Sequence, residues 1–257
     1  MRRVIFNQKG GVGKSTIASN LAAISAAKGL RTLVVDLDAQ ANTSAYLLGR
    51  DWEPDSAQGM VGLFEQCLSF RLYEKATEDF VLETPYSDLH ILPAGRDLEL
   101  LQVKLEARYK IYKLREALEA LADQYDAVYL DTPPALNFFT RSALIAAERC
   151  LIPFDCDDFS RQALYELLDN VQEMRQDHNP DLDVEGIIIN QFQSRARVMQ
   201  QAVAELEDDG QPVLSPPLSA SVKIRESHLR SIPLIHLAPS HKLTREYVAL
   251  FDALNAD

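Results

Sequence analysis

A glycine-rich stretch near the start of the chain, NQKGGVGKST (residues 7–16), has the residue types that hold phosphate groups. It nearly matches the pattern G-x-x-x-x-G-K-[ST], but Gln8 stands where the first glycine is expected, and Lys9 adds a second lysine. Within that pattern Lys14 is placed to reach the terminal phosphates of a nucleotide, and the Ser15 hydroxyl is placed to bind Mg²⁺. The stretch therefore predicts a phosphate-binding loop with an additional lysine.

The segments on either side of this stretch agree with that interpretation. RRVIF before it is typical of a short buried strand, and residues 16–30 after it repeat apolar side chains at helical spacing. The order strand, glycine loop, helix aims the N–H groups of the first helical turn at an anion, and glycines let the main chain approach it closely. The predicted nucleotide contacts are Gly10, Gly11, Val12, Gly13, Lys14, Ser15 and Thr16.

Three aspartates end strand-like segments further along the chain. Asp36 and Asp38 end TLVVDLD (residues 32–38), and Asp131 lies in DAVYLDTPP (residues 126–134). Ligands of a parallel sheet bind at the carboxyl ends of its strands, and a carboxylate there commonly holds Mg²⁺ through water. One such aspartate alone would more simply cap a helix or lie in a solvated loop. Three beside a phosphate loop predict a metal and catalytic site.

Strand-like and helix-like segments alternate along the 257 residues. Further strands are predicted at residues 89–95, 149–155 and 184–192. Helices are predicted at residues 97–123, 161–177 and 197–208, and from about residue 241 onwards. This alternation predicts one α/β domain, residues 1–257, with a doubly wound, mostly parallel sheet and helices on both faces. Between residues 49 and 86 the pattern is broken, and we expect loops and short helices.

The composition is that of a globular protein, with 47% hydrophobic and 25% charged residues. No apolar run reaches the length of a membrane span, and the N-terminus has no signal-peptide pattern, so we expect a cytoplasmic protein. Cys67, Cys150 and Cys156 lack metal-ligand spacing and are expected to be reduced thiols, the latter two packed beside a strand. The net charge of −12 argues against a surface coated in positive charge, although a local basic patch is compatible with it.

The chemical stretches together resemble the ParA/MinD group of P-loop ATPases. KGGVGKST resembles the deviant Walker A motif of that group, DLDAQAN its second motif, D-x-D-P-Q-G-N, and DTPPALNFFTRSAL its third. IPFDCDDFSRQAL and the ending IRESHLRSIPLIHLAPSHKLTREYVALFDAL are more similar to ParA/Soj proteins than to MinD. The likeness covers nearly the whole chain. It departs at Ser15, Ala39 and Ala41, where the group commonly has Thr, Pro and Gly, and none of these changes removes a needed functional group.

The resemblance implies a slow ATPase that acts as a switch. Two chains would sandwich two ATP molecules, with Lys9 reaching the ATP of the partner, as a cation supplied in trans. Lys14 and the loop backbone would cradle the phosphates, and Asp38 would orient the attacking water. ATP binding would form the dimer, and hydrolysis would separate it.

The resemblance also implies which residues bind the metal ion and which residue contacts the adenine. Ser15 and, through water, Asp131 would hold Mg²⁺, with Asp36 nearby. Asn190, at the end of its predicted strand, would contact the adenine.

ParA relatives bind DNA non-specifically as ATP dimers and are released when a ParB-like partner stimulates hydrolysis, so the resemblance implies both partners. Lys and Arg side chains in the carboxyl-terminal third could neutralise DNA phosphates, since Glu226 is the only acidic residue between residues 211 and 243. The candidates are Arg195, Arg197, Lys223, Arg225, Arg230, Lys242 and Arg245. The alternative is an ordinary solvated surface with no DNA contact.

Other functions on the same fold stay open. Some ParA relatives position protein cargo, which the acidic composition allows. A MinD-like membrane switch would need a basic amphipathic C-terminal helix, whereas REYVALFDALNAD ends acidic, so no membrane partner is expected. A metabolic P-loop enzyme such as dethiobiotin synthetase would not require Lys9, and an iron protein would need bridging cysteine pairs.

Overall fold

The computed structural model describes residues 1–70, 73–155 and 161–256. Its strands are β1 (Arg2–Ile5), β2 (Thr32–Asp36), β3 (Leu82–Glu83), β4 (Leu89–Leu92), β5 (Ala127–Asp131), β6 (Arg149–Asp155), β7 (Asp183–Asn190) and β8 (Val213–Leu214). In this part of the chain they form one eight-stranded sheet in the order β3-β4-β2-β5-β1-β6-β7-β8. Only the β3–β4 pair is antiparallel. The predicted doubly wound, mostly parallel sheet is confirmed.

Helices follow most of the strands. They are α1 (Lys14–Ala27), α2 (Asn42–Leu48), α3 (Gly59–Leu68), α4 (Leu98–Ala107), α5 (Lys113–Glu119), α6 (Phe138–Ala146), α7 (Arg161–Asp177), α8 (Arg197–Asp208), α9 (Val222–Arg230), α10 (Leu234–Leu237) and α11 (Lys242–Leu254), with a 3₁₀ turn at Thr77–Phe80. No helix in the described ranges has both the length and the apolar character needed to cross a bilayer.

Two hydrophobic clusters cover the two faces of the sheet, because successive strand residues point to opposite sides. Val4 belongs to the cluster covered by α3 to α8, and the next residue, Ile5, belongs to the cluster covered by α1, α2 and α11. The prediction of helices on both faces is therefore confirmed. The face bearing α1 and α11 carries the glycine loop at the start of α1, and this arrangement positions the site.

The predicted single helix over residues 97–123 is wrong, because the chain forms α4 and α5 with a break between them. Tyr109 has φ +54°, a left-handed conformation that ends a helix. The Tyr109 N–H donates to Glu106 O at 3.0 Å and the Lys110 N–H to Leu105 O at 3.0 Å, which closes the last turn of α4. Leucines of both helices pack in the same core. The apolar spacing in the sequence therefore continues across the break and gives no sign of it.

The region over residues 49–86 contains the predicted short helices, α3 and the 3₁₀ turn, but also the unpredicted strand β3. Cys150 is buried and packed in the core, as predicted. Cys67 is half-buried. Burial raises the pKa of both thiols. The predicted packing of Cys156 lies outside the described residues.

Candidate nucleotide-binding site

The glycine-rich loop joins β1 to α1 and has the backbone that its glycines allow. Gly11 has φ +80° and Gly13, the N-cap of α1, has φ +93°, both in the left-handed region. A Cβ on Gly13 would lie 2.4 Å from Asn190 Nδ2. Within the described chain no side chain caps the first turn of α1, so its N–H groups can bind an anion.

The two lysines of the loop have different environments. Lys14 is buried and donates from Nζ to Lys9 O at 2.8 Å, across the loop. Burial lowers the pKa of Lys14, and the Asp131 and Asp38 carboxylates oppose that change. Lys9 is exposed, and its N–H donates to Asn7 Oδ1 at 2.9 Å. The loop thus holds one ammonium group inward and leaves the other side chain at the surface.

A cavity of about 610 Å³ lies in front of the loop. Asp38 lines this cavity. Most of the predicted phosphate contacts line it as well: Gly10, Gly11, Gly13, Lys14, Ser15 and Thr16. Val12 is buried instead, and its carbonyl oxygen accepts from Asn190 Nδ2 at 2.9 Å. A neighbouring cavity of about 420 Å³ is lined by Asn190 and by residues of the segment leading into α9. The two cavities together offer space for phosphates and a nucleoside.

Asp131, at the end of β5, is fully buried behind the loop. Its Oδ2 accepts from Thr43 Oγ1 at 2.7 Å, whereas its Oδ1 is buried and, among the described residues, has no hydrogen-bond partner. Burial raises the pKa of Asp131, while Ser15, Thr43 and Lys14 act to lower it. An unpaired carboxylate oxygen and a nearby serine hydroxyl are ligands that fit Mg²⁺, which prefers oxygen.

Asp36, at the end of β2, lies beside Asp131 in the sheet register. Both of its oxygens accept hydrogen bonds: Oδ2 from Ser44 N (2.9 Å) and Ser44 Oγ (2.7 Å), and Oδ1 from Asp38 N (3.1 Å). Burial, and then the charge of Asp131, raise the pKa of Asp36. Asp36 therefore holds the start of α2, and its predicted metal role has less support in the geometry than that of Asp131.

Asp38 lies in the turn between β2 and α2 and lines the larger cavity. Its Oδ1 accepts from Gln40 N at 3.0 Å, and its carbonyl accepts from Ala41 N at 2.8 Å. Asp36 and Asp38 thus have different hydrogen-bond partners, and the geometry allows them different roles.

Several residues near the cavity were not predicted. Thr43 and Ser44 bind the two buried carboxylates. They belong to the stretch VVDLDAQANTS (residues 34–44), in which two hydroxyl residues follow the aspartate pair, and this pattern was the available signal. His228 lines both cavities, and its Nε2 lies 2.9 Å from Thr16 Oγ1. The His228 ring also lies against that of Tyr46, with centroids 4.6 Å apart. His228 is remote from the loop in sequence, so no local pattern indicates it.

The predicted DNA contacts divide into two groups. In the described ranges the arginines are exposed and form no ion pair, and they lie just before α8, on α8, on α9 and on α11: Arg195, Arg197, Arg225, Arg230 and Arg245. The lysines are partly neutralised, because Lys223 pairs with Glu226 at 2.6 Å and Lys242 with Glu246 at 3.4 Å. The arginines are therefore the stronger candidates.

Comparison with known proteins gives relatives for nearly the whole chain. The family model described as "AAA domain" matches residues 3–184. The chromosome partitioning protein ParA of Myxococcus xanthus (strain DK1622) is 37% identical over 203 residues, which cover 79% of this chain and 69% of that protein. The chromosome-partitioning ATPase Soj of Treponema pallidum (strain Nichols) is 33% identical, and the match covers 96% of each protein.

Among solved structures, cobyrinic acid a,c-diamide synthase from Mycobacterium smegmatis with bound ATP analog and magnesium superposes with a TM-score of 0.81. It is 26% identical, and the match covers 98% of this chain and 93% of that one. The similarity extends over the sheet and the loop described above.

Proposed function

Because the chain belongs to the ParA/MinD family of P-loop ATPases, we propose that it is an ATP-dependent dimerising switch of the ParA type. It hydrolyses ATP to ADP and phosphate and, through non-specific DNA binding, drives the segregation of plasmid or chromosomal DNA. The observation that carries this proposal is the pair of loop lysines, one buried and one exposed. In this proposal residues 1–257 act as one ATPase domain.

ATP and Mg²⁺ are the cofactors, and the residues present fit both. Lys14 Nζ and the N–H groups of the loop bind the phosphates, and the loop glycines admit them at close range. Ser15 and Asp131 would hold the metal, and Asp36 lies next to Asp131 in the sheet. When bound, Mg²⁺ neutralises charge on the phosphates.

Hydrolysis needs a water molecule aligned with the terminal phosphate. Asp38 lines the cavity and is fixed through its own N–H and Oδ1, so its carboxylate can accept a hydrogen bond from that water. Lys14 stabilises the charge that develops on the transferred phosphoryl group. Asn190 stays a predicted adenine contact, and its bond to Val12 places it at the edge of the smaller cavity.

Lys9 gives the site its dependence on a second chain. Lys14 Nζ occupies the inner position by bonding to the Lys9 carbonyl, and the exposed Lys9 side chain can reach the phosphates of a partner facing the loop. ATP then favours the dimer because the Lys9 ammonium of each chain gains a contact with the phosphates of the ATP that its partner holds. Loss of the terminal phosphate removes that gain and separates the chains.

Dimerisation is tested by light scattering with Mg·ATP in an Asp38→Ala chain, which blocks hydrolysis. We expect a monomer with ADP and a dimer with ATP, and a monomer in both states when Lys9→Ala is added. An Asp38→Ala chain that stays monomeric with Mg·ATP while binding it would remove the sandwich model.

The DNA partner is inferred from the exposed arginines of α8 and α9, which would bind phosphates non-specifically. A ParB-like partner is proposed to stimulate hydrolysis. We also propose that the protein is cytoplasmic, lies on the nucleoid when it holds ATP and has no membrane partner. An ATP dimer that retains no DNA at low salt would instead favour a ParA-type switch that positions protein cargo.

A further inference from the structure

Two consecutive hydroxyl residues in the first turn of α2 each bind one of the buried strand-end carboxylates. Thr43 Oγ1 donates to Asp131 Oδ2 at 2.7 Å, and Ser44 Oγ donates to Asp36 Oδ2 at 2.7 Å. Thr43 and Ser44 are both fully buried, so bulk water does not compete for either bond. The start of α2 is therefore fastened to the ends of β5 and β2.

The single hydroxyl proton of Thr43 has one preferred acceptor. Ser15 O lies 3.4 Å from Thr43 Oγ1, and it already accepts from Ser19 Oγ at 2.7 Å. Asp131 Oδ2 is closer and carries charge, and charge-assisted bonds are the shorter and stronger ones. Thr43 thus donates to Asp131 and fixes one oxygen of that carboxylate.

The second oxygen of Asp131 is left for another ligand. Oδ1 is buried and has no hydrogen-bond partner in the described part of the chain, although a buried polar atom without a partner is costly. Asp36 differs, because three hydrogen bonds are shared between its two oxygens. The two hydroxyls therefore act on carboxylates in different states, one open to a cation and one satisfied by protein donors.

We propose that Thr43 is a positioning residue for the Mg²⁺ site, holding Asp131 Oδ2 so that Oδ1 is directed to the metal beside Ser15. The proposal rests on the proposed function, because it requires Mg·ATP at the loop. Thr43 also lies on the helix that begins directly after the turn of Asp38, so the same bond links the metal carboxylate to the segment that holds the attacking water.

Ser44 provides a matched comparison one residue away. Its Oγ also accepts from Ala94 N at 2.9 Å, so Ser44 joins α2 to the segment after β4. The hydrogen bonds of the described residues connect its hydroxyl to Asp36 and Ala94 and not to Asp131. Removing its hydroxyl should affect the fold and leave the metal site as it is.

The experiment compares Thr43→Val, Thr43→Ser and Ser44→Ala with the wild-type chain. Binding of a fluorescent ATP analogue is measured without Mg²⁺ and as free Mg²⁺ is increased. Loss of an outer-shell partner typically weakens metal binding by about 10–100-fold, and we expect this rise in half-saturating Mg²⁺ for Thr43→Val. Affinity for the analogue without Mg²⁺ should be unchanged. Thr43→Ser should be close to wild type, and Ser44→Ala should show a wild-type Mg²⁺ midpoint with a lower melting temperature.

A wild-type Mg²⁺ midpoint in Thr43→Val would overturn the proposal, as would a Thr43→Ser chain as defective as Thr43→Val. If Thr43→Val does not fold by circular dichroism, Thr43→Ala gives the same comparison without overfilling the site. A wild-type chain that binds the analogue in no Mg²⁺-dependent way would instead remove the proposed function, so the two failures are distinct.

Discussion

At the scale of single residues, the buried carboxylates of Asp36 and Asp131 lower the stability of the folded chain when they are ionised. Burial is the main cause of the raised pKa of both Asp36 and Asp131. A raised pKa in the folded state means that the folded chain binds these protons more tightly than the unfolded chain does. The contribution of these two carboxyl groups to stability is therefore greatest at low pH, and it falls as pH rises from their ordinary pKa of 3.8 through the raised values.

Replacing Asp131 by Asn should therefore stabilise the nucleotide-free chain, by roughly 1–2 kcal/mol at about pH 8 and by less at about pH 5. Asn carries no charge at either pH, whereas the buried aspartate must ionise as pH rises. Thermal melts without Mg²⁺ at both pH values measure the difference. As a control, Asp126→Asn removes an exposed carboxylate whose pKa Arg31 lowers, so it should destabilise at both pH values. A gain for Asp131→Asn that does not grow with pH would contradict this account.

Substitutions of Asp38 and Lys14 should impair different steps, hydrolysis in the first case and ATP binding in the second. Asp38→Ala should leave ATP affinity nearly intact while hydrolysis falls by about ten- to a thousand-fold, roughly 1.4–4 kcal/mol of barrier, because the attacking water loses its acceptor. Lys14→Ala should lose ATP binding itself. Equilibrium binding and single-turnover rates separate the two effects. Equal loss of affinity in both variants would make Asp38 a structural residue or a metal ligand.

The site was predictable from sequence where chemistry and spacing coincide. The loop glycines, Lys14, Ser15, Asp38 and Asp131 converge on one cavity or its rear wall because a parallel sheet gathers its strand ends at one edge. His228 was not predictable, because its contact with Thr16 depends on how α9 packs over α1.

At the scale of elements, α2 begins in a backbone conformation that its residue does not favour. Ala41 is the N-cap of α2 at φ +54°, a left-handed conformation that costs an L-residue roughly 1–2 kcal/mol. Within the stretch that resembles the ParA/MinD motif, glycine is the usual residue at this position. The strain lies directly between Asp38 and Thr43.

Ala41→Gly should raise stability by up to about 1 kcal/mol, since relief of the left-handed strain exceeds the added entropy of the unfolded chain. The matched control is Ala45→Gly in the same helix, which should destabilise by about 0.5–1 kcal/mol. Denaturant unfolding measures both. Similar destabilisation by the two substitutions would show that Ala41 bears no strain.

The last helix depends on a buried ion pair. Arg3 on β1 binds Glu185 on β7 through Nε–Oε2 at 2.8 Å and Nη2–Oε1 at 2.9 Å, and its Nη2 also donates to Leu254 O at 2.7 Å. The Arg3 side chain is 3% exposed, so the pair is shielded from solvent. Arg3 thus ties the end of α11 to two strands.

Arg3→Ala should destabilise the fold by about 3 kcal/mol, because the Glu185 carboxylate, whose side chain is only 16% exposed, would lose its compensating charge. Arg31→Ala removes a solvent-exposed pair with Asp126 and should destabilise the fold much less, because water screens that pair. Urea unfolding compares them. If the two losses are equal, the Arg3 pair is not shielded in solution.

The elements themselves were predictable where apolar spacing was regular, as for α7, α8 and β6. The break between α4 and α5 was not, because it depends on the left-handed conformation of Tyr109, which no glycine indicates. The strands β3 and β8 each have two residues and are too short to show a period.

At the scale of the whole molecule, net charge and local charge point in opposite directions. The chain carries a net charge of −12, which repels DNA at long range. Screening limits such fields to about 8–10 Å at physiological salt, so the charges next to the contact decide binding. The exposed arginines of α9, Arg225 and Arg230, lie between residues 211 and 243, where Glu226 is the only acidic residue, and a dimer doubles their number.

DNA binding should therefore appear with ATP and not with ADP, and it should be weak because only a few phosphates are neutralised per dimer. It should fall as salt is raised, because each neutralised phosphate releases bound counterions. Arg225→Glu with Arg230→Glu should abolish it while ATP-driven dimerisation survives. Lys104→Glu with Arg115→Glu makes the same change in charge on α4 and α5, across the sheet from α9, and should leave most of the binding. The measurement is a gel shift on random-sequence DNA at low salt in the Asp38→Ala background. Equal loss from both double variants would mean that total charge, and not the arginines of α9, governs binding, whereas loss confined to the α9 pair places the DNA contact on that helix.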